Sequence, residues 1–397
     1  MINQNIRPMI RFSEFSLDWV NSELGSIANF NPKGKLPEIF KYVDLESVKG
    51  SSLISYRVER KDSAPSRAQR LAKIGDVFYQ TVRPYQKNNY LFDKVDKDYV
   101  FSSGYAQLRP ICDGSFLLTL LQRDSFVQSV LDNCTGTSYP AINSPVLARL
   151  KVNHPCQVEE HIKLGVYFQC VENQLKLHQI KFTKLQQLKK AMLGKMFPKN
   201  GNREPELRFT GFSKVWSNKK LVDITDSYSG GTPTVGMKEY YGGDIPFIRS
   251  GEIASNRTEL FVTVKGLKNS SAKMVEKGCI LYALYGATSG EVAISKIDGA
   301  INQAILAIKP TSNYDSRFIA LWLEWKKQEI ISTYLQGGQG NLSGAIIKNL
   351  SFHFPCFDEQ NKIGEYFQNL DRLINLQQQQ IDKLKNLKQA YLTRMFV

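Results

Sequence analysis

The strongest constraint on this chain is that it is written twice. Pro8-Met9-Ile10-Arg11-Phe12-Ser13-Glu14-Phe15, followed by Trp19, returns as Pro205-Glu206-Leu207-Arg208-Phe209-Thr210-Gly211-Phe212, followed by Trp216, at an offset of 197. Glu160, Lys163, Gly165, Tyr167, Phe168 and Gln169 return as Glu359, Lys362, Gly364, Tyr366, Phe367 and Gln368 at an offset of 199. The same offset carries Leu175, Lys184, Leu185, Leu188, Ala191, Met196 and Phe197 onto Ile374, Lys383, Leu384, Leu387, Ala390, Met395 and Phe396. Ser103–Pro110 echoes Gln303–Pro310 more weakly. A repeat of this length decides architecture before any local propensity does. With 397 residues the chain has room for two or three domains. It reads as two half-molecules of one plan, each a globular segment followed by a helix. The expected segments are 1–155, 156–200, 201–354 and 355–397. The helical parts agree between copies while the globular parts diverge, as expected for one shared mechanical task and two separate recognition tasks.

The helices are the firmest local reading. Val171, Leu175, His178, Phe182, Leu185 and Met192 fall at spacings of three, four or seven, and so do Leu370, Ile374, Gln377, Ile381, Leu384 and Tyr391. Apolar residues at heptad spacing form a seam that must be buried on another helix, and one polar seam residue (His178, Gln377) fixes register. Each stretch, from Val158 to Phe197 and from Phe357 to Phe396, is about 40 residues long, hence roughly 60 Å as a helix, more than one small domain needs. The simplest partner for each is the other, antiparallel. Pro198–Pro205 reads as the linker after the first helix.

The globular halves are mixed, so the expected class is α/β (mixed α+β). Val77-Phe78-Tyr79, Gln107-Leu108-Arg109, Ile280-Leu281-Tyr282 and Ile305-Leu306-Ala307-Ile308 are short apolar runs near turn residues and predict strands. Phe116–Leu131 and Phe318–Tyr334 have helical periodicity. Ser229–Pro233, Gly242–Asp244 and Gly337–Asn341 read as surface loops.

Composition narrows the function classes. The formal net charge is +15 with 22% charged residues, which points to a polyanionic partner without choosing among DNA, RNA and membrane. No apolar run reaches the length of a membrane span and the N-terminus lacks an apolar signal core, so a cytoplasmic protein is expected. Cys112, Cys134, Cys156, Cys170, Cys279 and Cys356 include no C-x-x-C pair, and His154, His161, His178 and His353 form no H-E-x-x-H cluster; no metal site is expected. There is no phosphate-cradling G-x-x-x-x-G-K-[ST], no G-x-G-x-x-G after a strand and no G-x-S-x-G. The aromatic Asn-Pro-Pro or Asp-Pro-Pro tetrapeptide of amino-methyltransferases is also missing. The chain is expected to have no catalytic residues and no cofactor of its own.

A binding face is easier to find. Arg57, Arg60, Lys61, Arg67, Arg70, Arg83, Lys87 and Arg109 supply positive charge in the first half, and phosphate neutralisation by such side chains gives sequence-independent affinity. Reading bases needs forked or amide side chains on loops, such as Arg on guanine or Asn/Gln on adenine. Arg83, Tyr85, Gln86 and Asn88 stand together after a strand-like run, as do Tyr285, Thr288 and Ser289 in the second half and Gln339 and Asn341 in its last loop. With Arg67, Lys87 and Arg249 these are the candidate DNA contacts. Lys181, Lys184, Lys189, Lys190, Lys383, Lys385 and Lys388 read as solvated helix faces.

Several longer stretches then resemble a known family, the specificity (S) subunits of type I restriction–modification systems. They are Ser229–Ile253 (SGGTPTVGMKEYYGGDIPFIRSGEI), Lys277–Ile294 (KGCILYALYGATSGEVAI), Ile301–Ile308 (INQAILAI), GQGNLSGAIIKNLSF with DEQNKIGEYFQNLD within Gly338–Asp371, Ala64–Pro84 and Gly136–Ser144. Their order, duplication and spacing carry the resemblance over essentially the whole chain. In the first half Asn31-Pro32-Lys33-Gly34 stands where the second has Gly-Gly-Thr-Pro, so loops do not transfer one for one between halves. The resemblance implies two target recognition domains joined by two long helices packed as an antiparallel coiled-coil spacer. Each domain would read, in the major groove, one half of a bipartite, asymmetric double-stranded DNA target. It further implies a subunit that does no chemistry but recruits two adenine-N6 methyltransferase (M) subunits, with restriction (R) motor-nuclease subunits able to join. S-adenosylmethionine, ATP and Mg would be used by those partners, in antiviral defence, and the adenine flipped out of the stack would enter the methyltransferase's pocket. Two other classes compete: a self-contained DNA-modifying enzyme, which would act without partners, and a two-domain structural adaptor, which would show no sequence-specific DNA retention.

Overall fold

The computed structural model describes residues 6–96, 98–136, 138–199, 202–335 and 341–397. The chain divides into two compact units, Met1–Ile180 with Gln378–Val397, and Lys181–Gln377. The division falls inside both long helices, so each unit holds one sheet-rich segment and a stretch of each helix.

The first unit runs through β1 (Val20–Glu23), β2 (Ala28–Phe30), β3 (Ile39–Val43), β4 (Val48–Lys49), β5 (Ser52–Leu53), β6 (Arg57–Arg60), β7 (Ala68–Leu71), β8 (Val77–Gln80), β9 (Tyr90–Leu91), β10 (Tyr99–Ser102) and β11 (Tyr105–Pro110), then α1 (Gly114–Leu121), α2 (Asp124–Leu131), α3 (Ser144–Arg149), β12 (Lys151–His154) and the start of α4 (Val158–Met196). The second begins within α4 and continues through β13 (Ser217–Lys220), α5 (Leu221–Ile224), β14 (Thr225–Ser229), β15 (Tyr241–Ile248), β16 (Phe261–Val262), α6 (Val264–Lys268), β17 (Lys273–Val275), β18 (Ile280–Ala283), β19 (Val292–Ile294), β20 (Gly299–Ile301), β21 (Ile305–Pro310), α7 (Ser316–Tyr334), α8 (Gly344–Lys348), β22 (Ser351–Phe354) and the start of α9 (Phe357–Arg394).

The topologies match except for the small β4-β5 ribbon, which the second unit lacks among the described residues. Sheets ordered β6-β3-β10-β7 and β2-β11-β8-β9 in the first unit correspond to β16-β15-β20-β17 and β14-β21-β18-β19 in the second, and ribbon β1-β12 corresponds to β13-β22. The parallel pair β3/β10 has its counterpart in β15/β20. The expected strands are β8, β11, β18 and β21; all four residues of β8 and of β18 are buried, so a continuous apolar run rather than alternation marks them.

Three local expectations are corrected. Phe116–Leu131 is two helices, because Arg123 is extended and the Gln122 carbonyl accepts from Lys87 Nζ at 3.0 Å instead of continuing the ladder. Gly242–Asp244 lies inside β15, where the register shifts between Tyr241 and Ile245, an inserted bulge rather than a loop. Gly230 and Gly231 pack inward: a Cβ on Gly230 would stand 1.8 Å from the Ile301 carbonyl oxygen, so glycine is required by close backbone approach. The Gly337–Gly340 part of the third expected loop, and Asn200-Gly201 of the linker, lie outside the described residues.

Within each unit the two long helices pair antiparallel. In the first, the start of α4 meets the end of α9: the Tyr167 and Tyr391 rings are 5.6 Å apart and Lys388 pairs with Glu172. In the second, the end of α4 meets the start of α9, with Lys189 pairing with Asp371 at 2.9 Å. Val171, Leu370 and Ile381 are buried, and Leu175, His178, Phe182, Leu185, Met192, Ile374, Gln377, Leu384 and Tyr391 are partly buried.

Each unit's core is closed by the end of a long helix. Met395 and Phe396 enter the first core, where Phe396 lies 5.8 Å from both Trp19 and Phe116. Met196 and Phe197 enter the second, with Phe197 5.1 Å from Phe318. The duplicated Arg-Phe segment docks on the same ends, Ile10 N donating to Arg394 O and Leu207 N to Lys195 O, both at 2.9 Å. Its arginine forks onto a glutamate that is 1% exposed: Arg11 to Glu160 at 2.7 Å, and Arg208 to Glu359 at 2.9 and 2.7 Å. A buried carboxylate is tolerable only with such pairing.

Candidate nucleic-acid interface

The polar tips predicted from sequence sit on the loop that follows the central strand β8 or β18. In the first unit the loop is clamped at its base: Thr81 N donates to Gly104 O, Ile142 N to Thr81 O, and Val82 bridges Ala141. It then closes a 3-10 turn, Pro84–Gln86, with Gln86 N donating to Arg83 O at 3.0 Å. Arg83 and Lys87, at the two ends of this knuckle, both have positive φ, 53° and 54°. Gln80 Nε2 donates to Val82 O at 2.7 Å and to Gln86 Oε1 at 3.0 Å, while Asn88 Oδ1 accepts from Gly50 N at 2.8 Å.

Side chains on the knuckle have different fates. Lys87 is turned inward to Asp124, whose carboxyl its hydrogen bond and that of Gln389 hold below the usual range. Asn88 and Gln86 brace the loop. Tyr85 is half exposed. Arg83 lies over the Tyr139 ring with its guanidinium carbon 4.3 Å from the centroid. The Arg67 side chain is exposed, and its carbonyl accepts from Ser103 N at 2.7 Å, beside the Gly104 that holds Thr81. Backbone contacts thus bring Arg67 and the base of the loop that carries Arg83 and Tyr85 to the turn before β11.

The wider basic set divides. Arg57, Arg60 and Lys61 lie on or just after edge strand β6, exposed and in ion pairs of 3.4–3.7 Å. Exposed pairs of this kind contribute little to stability and can be exchanged for phosphate. Burial pushes the Arg70 guanidinium down, and its Nε is buried without a partner. Arg109 is corrected: it forks onto Asp76 with two bonds of 2.8 Å, and Asp76 is 1% exposed. It is a structural ion pair of the β8–β11 face, not a surface cation.

In the second unit the same frame carries different chemistry. Leu284 N donates to Ala304 O, Leu342 N to Leu284 O, and Tyr285 bridges Asn341. Two of the candidate segments are thereby brought together. Ser289 is 8% exposed and donates to Gly286 O at 2.8 Å; it staples the loop and cannot reach a base without breaking it. Thr288 Oγ1 lies 3.4 Å from Tyr285 O. Arg249 is bound to Glu252 at 2.8 Å and Glu259 at 2.7 Å, and the Glu252 carboxyl is pushed down to about 2 by that guanidinium. A DNA contact by Lys87 or Arg249 has to displace these carboxylates. Gln339 lies outside the described residues. Sequence reasoning missed Tyr139, which lay within the quoted Gly136–Ser144 stretch; only the fold brings it under Arg83.

Among the described residues no three His, Cys, Asp or Glu side chains are gathered as for a metal ion. Nor is any helix of these residues long and apolar enough to cross a membrane.

Residues 213–386 match the family described as the type I restriction modification DNA specificity domain. The type I restriction enzyme MjaIX specificity subunit of Methanocaldococcus jannaschii is 29% identical over 205 residues, 49% of this chain and 47% of that protein. The chain thus aligns to about half the length of that relative. The HindI specificity subunit of Haemophilus influenzae is 22% identical over 84% of this chain and 87% of its own length. A crystal structure of the type I restriction–modification S subunit from M. genitalium superposes with a TM-score of 0.69 at 14% identity, covering 99% of each chain, a likeness of fold. The chain is thus similar to type I restriction–modification specificity subunits, in the sequence of residues 213–386 and in fold.

Proposed function

We propose that this chain is the non-catalytic targeting subunit of a type I restriction–modification complex acting in the cytoplasm. Each sheet-rich unit reads one half of a bipartite, asymmetric double-stranded DNA target. The paired helices α4 and α9 fix the spacing between half-sites and dock two adenine-N6 methyltransferase subunits, to which motor-nuclease subunits add. S-adenosylmethionine, ATP and Mg serve those partners.

The observation that carries this reading is one loop frame with two sets of tips. Arg83, Tyr85 and Ala141 stand in the first unit where Gly286, Thr288 and Asn341 stand in the second, on backbones closed by equivalent hydrogen bonds. Divergent side chains on a conserved scaffold are what two different base sequences require. The net charge of +15 supplies the phosphate term.

The test is to produce the chain with its cognate methyltransferase in a host lacking adenine methylation and to map methylated adenines genome-wide. Two constant half-sites separated by a gap of fixed length are expected. Exchanging residues 1–155 for those of a relative should change one half-site and leave the other. Methylation by the chain alone, or loss of both half-sites on that exchange, contradicts the reading.

A further inference from the structure

We infer that Arg83 reads a guanine in the half-site recognised by the first unit, with Tyr139 as the platform that orients it. The inference rests on the targeting reading above and assigns one of its specificity residues.

It starts from backbone conformation. The knuckle after β8 and the one after β18 share a closing hydrogen bond: Gln86 N donates to Arg83 O in one, and Ser289 N to Gly286 O in the other. Both positions at the ends of the knuckle are left-handed in both units. In the second unit they are Gly286 and Gly290, with φ of 73° and 80°. In the first they are Arg83 and Lys87, with φ of 53° and 54°. The fold therefore demands left-handed backbone at both places, and glycine meets that demand without strain. A residue with a Cβ does not, and strained positions persist where their side chain has a task.

For Lys87 the task is visible in the folded chain. Its Nζ donates to Gln122 O at 3.0 Å and pairs with Asp124, tying the knuckle to the junction of α1 and α2. For Arg83 it is not. Its guanidinium makes no hydrogen bond or ion pair among the described residues; it lies over the 64%-exposed ring of Tyr139. The ring is held against it because Arg83 N donates to Pro140 O at 2.8 Å. Stacking satisfies the face of a guanidinium and leaves its N–H edge unspent. A planar fork of donors, held still at a loop tip, is the complement of guanine O6 and N7 in the major groove. The half-exposed Tyr85 beside it adds a flat apolar neighbour.

The test uses the full chain in its methyltransferase complex and reads the methylated motif of host genomic DNA. The first unit's half-site is the one that follows an exchange of residues 1–155. Arg83→Gly installs the residue of the second unit, so thermal stability is expected to be unchanged or raised. One guanine position in the first half-site is expected to lose roughly tenfold to hundredfold in discrimination, with the other half-site and the gap unchanged. Arg83→Lys keeps the charge without the fork and is expected to relax the same position. Tyr139→Phe keeps the platform and is expected to keep the motif, while Tyr139→Ala is expected to weaken it. A motif unchanged by Arg83→Gly, a first half-site without guanine, or full retention by Arg83→Lys overturns the inference while leaving the targeting reading standing. A wild-type complex that methylates no two-part target overturns both.

Discussion

His161 of the first unit stands where the second has Gln360, and the exchange of an amide for an imidazole has a consequence that pH exposes. Gln360 is satisfied: Nε2 donates to Pro355 O and Oε1 accepts from Asp315 N, both at 3.0 Å. His161 is 4% exposed, its ring 4.4 Å from Phe116, and neither nitrogen makes a well-formed hydrogen bond. Burial, with His154 adding its repulsion, pushes the imidazole down to about 4; the Pro155 carbonyl offsets only part. A depressed histidine is neutral in the folded state, whereas the unfolded ring takes a proton near 6.5. The unfolded state therefore binds more protons as pH falls below 6.5. The stability held above that value is lost progressively down to about 4, on the order of 2–3 kcal/mol. His161→Gln should flatten this acid limb, leaving the smaller slope of His154, itself held down by burial. Denaturant unfolding at pH 7 and pH 4.5 checks it; an equal loss in both proteins refutes it. Residue roles of this kind were only partly legible. Arg83, Lys87 and Arg109 are one residue class in a sequence, and only the fold separates a guanidinium left free from cations folded onto Asp124 or Asp76.

At the scale of elements, the long helices were legible because a heptad seam depends on local spacing alone, and every residue the spacing selects is buried or partly buried. The ion pairs that fix the pairing were not, since Lys189 and Lys388 read equally well as solvated face. They occupy equivalent places in the two copies, each facing an acid across the helix pair, Asp371 or Glu172. Lys388 and Glu172 are 25% and 29% exposed, so screening is incomplete and the pair contributes on the order of 1 kcal/mol. Glu172→Lys should lower the unfolding free energy by about 1–2 kcal/mol through like-charge repulsion, and the swap Glu172→Lys with Lys388→Glu should restore most of it. A double-mutant cycle with no coupling contradicts this. Glycines in the same helix separate by what surrounds them. A Cβ on Gly165 would lie 2.1 Å from Asp113 Oδ1 and 2.8 Å from Phe116 N, the two atoms that cap α1, while Gly194 has nothing within 4 Å. Gly165→Ala is expected to destabilise by about 1–3 kcal/mol, and Gly194→Ala to stabilise by up to about 1 kcal/mol. Thermal melts of the two variants should therefore move in opposite directions. The break between α1 and α2 escaped periodicity because a lysine thirty-odd residues upstream takes the Gln122 carbonyl, a tertiary effect no window of sequence contains.

For the whole molecule, the repeat made the two-unit plan legible, yet not which segment completes which unit. The chain's last residues complete the first unit's core and the end of α4 completes the second, Met395 and Phe396 joining the cluster of Trp19 and Met196 and Phe197 that of Trp216. Both helices consequently pass from one unit into the other, α4 at Ile180–Lys181 and α9 at Gln377–Gln378. Under the targeting reading this makes helix length a measure of DNA length. Four residues added to both helices at those points add about 6 Å, against about 3.4 Å per base pair, and should widen the gap by roughly two base pairs. Seven residues restore the seam after one full heptad and add about 10 Å, hence roughly three base pairs. The four-residue insert shifts the seam by a stutter and should cost stability that the seven-residue insert does not. Both half-sites stay as they are, because neither knuckle is touched. Methylome maps of the two insertion variants decide the matter: constant half-sites with a longer gap are expected, and altered half-sites at constant spacing would show that the helices do not set the distance.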